Sequence, residues 1–218
     1  GYSSAASDVY KRQEVANDAG RQRNVFRKML RFTAFISFPA MFGLALIAHE
    51  LIVISVTDKW LDSVPILQLL CIWGAFLPIL SLYSNLIISK GKSDIYMWNT
   101  IALGILQVIV ILLAYPYGIH TMIVAFVTVN IVWMLVWHYF VWQQIRLSLW
   151  NALKDVIPFA ALAGITMVIT YYATRSIGNI YLLFTAKVVV AAILYTLLMW
   201  GSNSVVFKES IQFLKKKK

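Results

Sequence analysis

The sequence has 218 residues, of which 61% are apolar, 14% aromatic and only 13% charged. Soluble domains average about 45–50% apolar and about 25% charged residues, so this composition argues against an ordinary water-soluble domain. The net charge of +10 does not indicate a nucleic-acid partner, because the basic residues form short clusters between long uncharged stretches instead of covering one face. These features together predict an integral membrane protein.

The N-terminal segment differs in character from the rest of the chain. Residues 3–13 read SSAASDVYKRQ, which resembles the in-frame translation of a transposon-type sequencing adapter. We therefore interpret residues 1–13 as a foreign remnant and leave them out of the predicted fold. The remaining residues carry 17 Lys and Arg against 8 Asp and Glu. We expect the natural protein to continue upstream of Glu14, and residues 14–31 to form a basic cytoplasmic connector.

Long stretches without formal charge follow one another along the remaining chain. A transmembrane helix needs about 20 mostly apolar residues, and the uncharged stretch from Ile95 to Ile145 is too long for one crossing. A tight turn at Tyr115-Pro116-Tyr117-Gly118 divides this stretch into two helices. The predicted fold class is an all-α integral membrane protein. Its region 32–201 holds six transmembrane helices at about 32–49, 64–89, 95–115, 119–142, 156–174 and 180–200, and a basic cytoplasmic tail follows at 202–218.

The distribution of Lys and Arg predicts the orientation, because short cytoplasmic loops retain positive charge. Of the 17 basic residues after residue 13, 14 fall in the connector, in alternate loops or in the tail. The opposite side holds only Lys59 and Arg175, and Lys187 lies inside the sixth helix. We therefore expect both ends of the chain to face the cytoplasm.

Lys187 is the one basic residue that this topology does not explain. A cation within hydrocarbon costs several kcal/mol unless it faces a cavity, forms a pair or extends to the headgroups. Ala191 and Tyr195 follow at helical spacing, so this face is smaller and more polar than its surroundings. One interpretation is a face that lines a water-accessible lumen, where Lys187 attracts an anionic group of a substrate. The other is a lysine that reaches the outer headgroups.

Uncharged polar residues within the helices also have two interpretations. Asn85, Gln107 and Asn130 are of the type that forms interhelical hydrogen bonds, worth about 1 kcal/mol each. The alternative is that these side chains face a sugar in the same lumen as Lys187 and Tyr195. These five residues are the candidates for a substrate lumen.

Catalytic and metal sites are not indicated, and no cofactor is implied. His49, His120 and His138 lie far apart in the predicted topology, and a single cysteine, Cys71, does not support a multi-cysteine metal site. No acidic residue lies in the interior of a predicted helix, since Glu50 falls at a helix end. The predicted helices therefore lack an acidic relay for protons or sodium.

The segment Arg31–Lys92 carries the elements of a family resemblance. They are Phe38-Pro39 with Gly43-Leu44 in the first helix, Lys59-Trp60 at the end of an outer-surface helix, Val64-Pro65 followed by Leu67-Gln68, Asn85, and the turn Lys90-Gly91-Lys92-Ser93-Asp94. In these elements the sequence resembles the Wzx-type oligosaccharide-lipid flippases, polysaccharide biosynthesis proteins of the multidrug/oligosaccharidyl-lipid/polysaccharide exporter superfamily. Similar spacing and hydropathy extend over nearly all of residues 14–200.

The resemblance implies both a fold and a function. Such flippases are considerably longer, so the chain would be a C-terminal portion whose six helices form part of one lobe of an exporter fold plus peripheral helices. Family members move an undecaprenyl-diphosphate-linked oligosaccharide to the outer leaflet, for lipopolysaccharide or other cell-surface polysaccharide. The resemblance thus implies a transporter of the bacterial inner membrane, not an enzyme.

The implied partners are the lipid-linked oligosaccharide, membrane lipids, and a polysaccharide polymerase or glycosyltransferases, with no nucleic acid. Other functions stay open. A multidrug cation antiporter of the same superfamily would need buried carboxylates, which the predicted helices lack. A membrane enzyme of polysaccharide assembly would carry a sizeable extramembrane loop, which the sequence does not contain. A membrane scaffold that transports nothing would show the same hydropathy.

Overall fold

A computed structural model describes the backbone of residues 2–201 and the side chains of residues 20–201. The predicted tail, residues 202–218, lies outside the described residues, and the foreign origin of residues 1–13 stays a prediction. The helices are α1 (Tyr2–Leu46), α2 (Ala48–Ser55), α3 (Val64–Ser89), α4 (Ser93–Ala114), α5 (Ile119–Ile145), α6 (Leu149–Thr174) and α7 (Ile180–Gly201), with short 3₁₀ helices at Asp58–Ser63 and Tyr115–Tyr117.

Six helical segments within the described residues are long and apolar enough to cross a membrane. Their bounds are Gly20–Leu46, Asp58–Ser89, Ser93–Tyr117, Ile119–Ile145, Leu149–Thr174 and Ile180–Gly201. Large apolar side chains cover their outer surfaces, and Leu112 and Leu113 are 68% and 70% exposed. Such surfaces suit lipid as the surrounding solvent. The prediction of an all-α membrane fold with six spanning helices is confirmed.

Two helices, α1 and α6, begin well before the charge-free stretches from which they were predicted. The predicted connector, residues 14–31, is continuous with the first spanning helix in α1, and α6 begins at Leu149 instead of at residue 156. The reason is that absence of charge marks contact with hydrocarbon, whereas a helix continues wherever its backbone hydrogen bonds and side-chain charges are satisfied. At the other end of α1, the helix stops at Leu46, so the predicted limit at His49 is three residues too late.

Two turns contain glycines in the left-handed region of backbone conformation. Gly91 has φ of 73° between α3 and α4, and Gly118 has φ of 89° between Tyr117 and α5. A side chain with a Cβ would be strained at these φ values. The tight turn predicted at residues 115–118 is confirmed, and it divides the long uncharged stretch into α4 and α5.

The helices pack in the spatial order α4, α5, α3, α1, α6 and α7, with α1 and α3 at the centre. The core between them is apolar and includes Leu30 and Phe38 of α1 with Ile79 and Ile87 of α3, all less than 2% exposed. Since α1 packs against both α3 and α6, it holds the two halves of this arrangement together.

The basic residues of the connector and of alternate loops lie at one end of the helices. Gln22 accepts a hydrogen bond from Lys90, and Arg27 pairs with Asp155 at the start of α6. We call this the basic end; it holds Arg21, Arg23, Arg27, Lys28, Arg31, Lys90, Lys92, Arg146 and Lys154. Its assignment to the cytoplasm stays a prediction.

Candidate functional site

The side chain of Lys187 is buried and ion-paired. Its Nζ lies 2.6 Å from Oε1 of Glu50, and the two residues are 6% and 3% exposed. Lys187 belongs to α7, and Glu50 belongs to the short helix α2 that follows the break at Ile47. A buried lysine is compatible with a membrane interior only when its charge is compensated, and the Glu50 carboxylate compensates it here.

Two further groups surround the ammonium of Lys187. Nζ donates a hydrogen bond of 3.2 Å to the carbonyl oxygen of Leu46, the last residue of α1. A helix end leaves such carbonyl groups without intrahelical partners, so the lysine also stabilises the end of α1. The ring of Tyr171 lies 5.9 Å from Nζ, at the limit of a cation–π contact. The ammonium is thus enclosed by groups of the protein, and its position relative to the headgroups stays a prediction.

A cavity of about 400 Å³ lies beside this ion pair, between α1 and α7. Lys187, Ala191 and Tyr195 line it from α7, and Pro39 and Gly43 line it from α1. The volume is at the lower end of the range typical of small-molecule pockets. The lining residues other than Lys187 and Tyr195 are apolar, so the cavity combines one paired cation and one hydroxyl with a largely apolar wall.

The hydroxyl of Tyr195 is engaged with α1. It donates a hydrogen bond of 2.9 Å to the carbonyl oxygen of Phe35, and the two aromatic rings stack with centroids 5.9 Å apart. The residue is 9% exposed. Tyr195 therefore fixes α7 to α1 at one end of the cavity, while Lys187 and Glu50 join α7 to α2 beside it.

The other three lumen candidates lie elsewhere. Gln107 of α4 donates a hydrogen bond of 2.9 Å from Nε2 to Oδ1 of Asn130 in α5, and Asn130 in turn donates to the carbonyl oxygen of Phe126. Asn85 is exposed on α3. The five candidates thus fall into three places, and only Lys187 and Tyr195 share the cavity. A contact between any of them and a substrate stays a prediction.

Glu50 is the functional candidate that the sequence did not reveal. It falls at the end of an uncharged stretch, a position that usually faces water, but the start of α2 buries it. Its second oxygen, Oε2, has no hydrogen-bond partner in the described part of the chain, and His49 Nδ1 lies 3.9 Å from Oε1. Only Lys187 indicated such a residue in the sequence. A single cation in a spanning helix requires an anion nearby, and Glu50 is that anion.

A second buried carboxylate lies at the basic end. Asp155 of α6 is 4% exposed and receives two hydrogen bonds from Arg27, of 2.6 Å from Nε and 3.0 Å from Nη2. Nε of Arg31, one turn further along α1, lies 3.2 Å from the same carboxylate. Asp155 lies one residue before the predicted start of the fifth helix at residue 156, and the structure includes it in the second turn of α6. Two arginines of α1 neutralise this carboxylate in the second turn of α6.

Comparison with known proteins identifies relatives of one part of the chain. Residues 13–65 match the model of a family described as polysaccharide biosynthesis protein. This segment covers most of α1, all of α2 and the following 3₁₀ helix. It contains Arg27 and Glu50, one partner from each buried ion pair, whereas Asp155 and Lys187 lie outside it.

Three curated relatives each match 79–82 residues of the chain. The protein named "Uncharacterized membrane protein in cps region" of Klebsiella pneumoniae is 37% identical over 82 residues, which are 38% of this chain and 17% of that protein. Lipopolysaccharide biosynthesis protein WzxC of Escherichia coli strain K12 is 29% identical over 82 residues, with the same shares. Teichuronic acid biosynthesis protein TuaB of Bacillus subtilis strain 168 is 30% identical over 79 residues, 36% of this chain and 16% of that protein.

The chain covers less than a fifth of the length of each of these relatives. No solved structure matches it at a significant level. The helices define a multi-pass α-helical membrane protein. The chain is therefore similar, over part of its length, to bacterial proteins named for polysaccharide biosynthesis, and this likeness supports the resemblance predicted from the sequence.

Proposed function

We propose that this chain is the C-terminal portion of a transporter that flips an undecaprenyl-diphosphate-linked oligosaccharide across the bacterial inner membrane. The proposal depends on one observation: the buried ammonium of Lys187 at the wall of a cavity, in a protein with Wzx-type relatives. Such a transporter makes and breaks no bond. It would receive its substrate from glycosyltransferases and deliver it to a polymerase.

The ion pair supplies a mechanism for binding an anion. A diphosphate offers more acceptor oxygens and more negative charge than the Glu50 carboxylate, and charge-assisted hydrogen bonds to lysine are among the strong ones. It would therefore compete with Glu50 for Lys187. The exchange would release α2 from α7 and free the helix end at Leu46, so that substrate binding favours a different arrangement of the helices.

The cavity volume limits which part of the substrate it receives. About 400 Å³ is too small for an oligosaccharide with its lipid. The diphosphate or one sugar ring would occupy it, while the polyprenyl chain stays in the bilayer. The remaining sugars would require space formed by parts of the full transporter outside this chain.

A multidrug cation antiporter is the alternative from the same superfamily. Cation antiport needs buried carboxylates, which the sequence did not predict. The structure shows that Glu50 and Asp155 are buried. Both are paired with Lys or Arg at 2.6 Å, however, so neither offers a free negative charge to a cationic drug. Lys187 is paired in the same way, so the preference for an anionic substrate depends on exchange of Glu50 for the substrate and on the Wzx-type relative.

Transport by the complete protein, reconstituted in liposomes, tests the proposal. Labelled undecaprenyl-diphosphate oligosaccharide would be placed in one leaflet, and its appearance in the other leaflet would be followed with a membrane-impermeant quencher. We expect protein-dependent transfer of this lipid and no proton-driven uptake of a cationic dye. A folded protein that leaves the labelled lipid in its original leaflet would overturn the proposal, and dye uptake alone would establish the antiporter.

A further inference from the structure

A second cavity, of about 380 Å³, lies at the basic end between α1 and the last turn of α3. Its rim carries two cations, Arg21 and Lys90, together with the hydroxyl of Ser89. Its floor is apolar and includes Val25, Met29 and Leu86. We call this cavity the basic-end groove. It lies far along α1 from the cavity that contains Lys187, and the proposed transport mechanism does not use it.

The groove is charged at one end and apolar along the rest of its length. Arg21, Val25 and Met29 follow at intervals of four residues on one face of α1, so the groove extends about 12 Å along the helix. The cation lies toward the helix start, and the apolar side chains lie toward the middle of the spanning segment. Val25 and Met29 are 49% and 51% exposed, so this apolar surface is open to a ligand.

The two rim cations have no carboxylate partner within residues 20–201. Arg27 and Arg31, on the neighbouring face of α1, are neutralised by Asp155. Among residues 20–201, by contrast, no carboxylate pairs with Arg21 or Lys90, and Lys90 Nζ donates instead to the neutral Oε1 of Gln22. A negatively charged group would be attracted to this rim.

We propose that the basic-end groove binds an anionic phospholipid of the surrounding bilayer. The phosphate lies between Arg21 and Lys90, and the first part of one acyl chain lies over Val25, Met29 and Leu86. Only an amphiphile matches both the cationic rim and the apolar floor, and its orientation agrees with that of a lipid beside a spanning helix. The bound lipid is a resident ligand and is not the transported substrate.

Photocrosslinking of the complete protein in nanodiscs tests this proposal. The probe is phosphatidylglycerol with a photoreactive group on one acyl chain near the headgroup, and crosslinked peptides are mapped after digestion. We expect crosslinks in residues 21–29 and 86–90. Each basic residue near the membrane surface contributes about 1 kcal/mol to binding of anionic lipid, so the double variant Arg21→Gln/Lys90→Gln should reduce crosslinking roughly 10- to 30-fold.

Matched variants distinguish lipid binding in the groove from general attraction of anionic lipid to the basic end. Lys92→Gln removes an exposed charge from the same turn that does not line the groove, and should reduce crosslinking by no more than the roughly fivefold effect of one surface charge. Val25→Trp keeps all charges but fills the groove, and should reduce crosslinking as strongly as the double variant. Equal effects of Lys92→Gln and of the double variant would overturn the proposal, as would normal crosslinking of folded Val25→Trp.

Competing ligands identify the source of the phosphate. Unlabelled phosphatidylglycerol should displace the probe, whereas phosphatidylcholine and glycerol phosphate should not, because one lacks net charge and the other lacks acyl chains. Displacement by phosphatidylcholine at the same concentration would show that charge is irrelevant and overturn the proposal. Preferential displacement by undecaprenyl diphosphate would also overturn it, since the groove would then receive the transported lipid.

Discussion

Lys187 in α7 and Glu50 in α2 form a buried ion pair of 2.6 Å although 137 residues separate them in the chain. The pair joins the last described helix to the short helix that follows the break at Ile47. Since each side chain is almost fully buried, neither charge is compatible with its position without the other. The pair is therefore a structural link, and it is also the point at which an anionic ligand could exchange with a carboxylate.

Removal of one partner of this pair should destabilise the protein more than removal of both. Lys187→Met leaves the Glu50 carboxylate buried and unpaired, which typically costs about 3–5 kcal/mol. The double variant Lys187→Met/Glu50→Leu leaves no buried charge, so we expect a smaller loss than with Lys187→Met alone. Unfolding of the complete protein in detergent micelles measures these differences. Lys59→Met, at an exposed position, serves as the control, and additive losses in the double variant would contradict a coupled pair.

Asp155→Asn should weaken the contact between α1 and α6. The variant keeps the shape of the side chain but removes the charge that accepts two hydrogen bonds from Arg27. Hydrogen bonds to charged groups contribute about 1.5–3 kcal/mol. Because the arginines are partly exposed and water screens their charge, we expect the loss in free energy of unfolding to lie near the lower value. Asp62→Asn, an exposed residue at the opposite end, should leave the unfolding temperature unchanged. Equal unfolding temperatures of the two variants would contradict a stabilising role for Asp155.

Gln107 and Asn130 should contribute to stability but not to transport. Their hydrogen bond joins α4 to α5, on the side of the helices away from the Lys187 cavity. Interhelical hydrogen bonds in membranes contribute about 0.6–1.7 kcal/mol, so Gln107→Leu should lower the unfolding temperature and leave the transport rate unchanged. Asn85→Leu, at an exposed position, should change neither property. A fall in transport by stable Gln107→Leu protein would instead support the interpretation that this residue faces a sugar.

Cysteine labelling in intact cells tests the predicted orientation. Cys71 is 1% exposed, so it should give little background with a membrane-impermeant maleimide. Lys59→Cys and Lys92→Cys place single exposed thiols at opposite ends of the helices. We expect labelling of Lys59→Cys in intact cells and of Lys92→Cys only after permeabilisation. The reverse pattern would show that the basic end faces outward.

The sequence predicts the spanning helices well because apolar length is a strong physical requirement of the bilayer. The turn at Tyr115–Tyr117 is equally predictable, since proline and Gly118 both interrupt a helix. The ends of the helices are less predictable from the sequence. Asp155 is buried within α6 only because Arg27 and Arg31, more than 120 residues away in the chain, neutralise it, and no local pattern contains that information.

The candidate site was predictable only in part. Helical spacing alone places Lys187 and Tyr195 on one face of α7, and they line one cavity. Glu50 could not be identified from its own surroundings, because its burial depends on how α2 packs against α7. Asn85 and Asn130 have the same polar character in the sequence, yet one is exposed and the other is bonded to Gln107, since their neighbours in space differ.

The affinity of the complete protein for undecaprenyl-diphosphate oligosaccharide tests most directly whether substrate and Glu50 compete for Lys187. The account predicts that Lys187→Gln weakens binding by about tenfold or more, because a charge-assisted hydrogen bond is lost. Glu50→Gln should strengthen binding by a similar factor, because the competing charge is removed, and Lys59→Gln should have no effect. If folded Lys187→Gln and Glu50→Gln proteins bind the lipid with the affinity of the wild type, the competition does not occur and the account is contradicted.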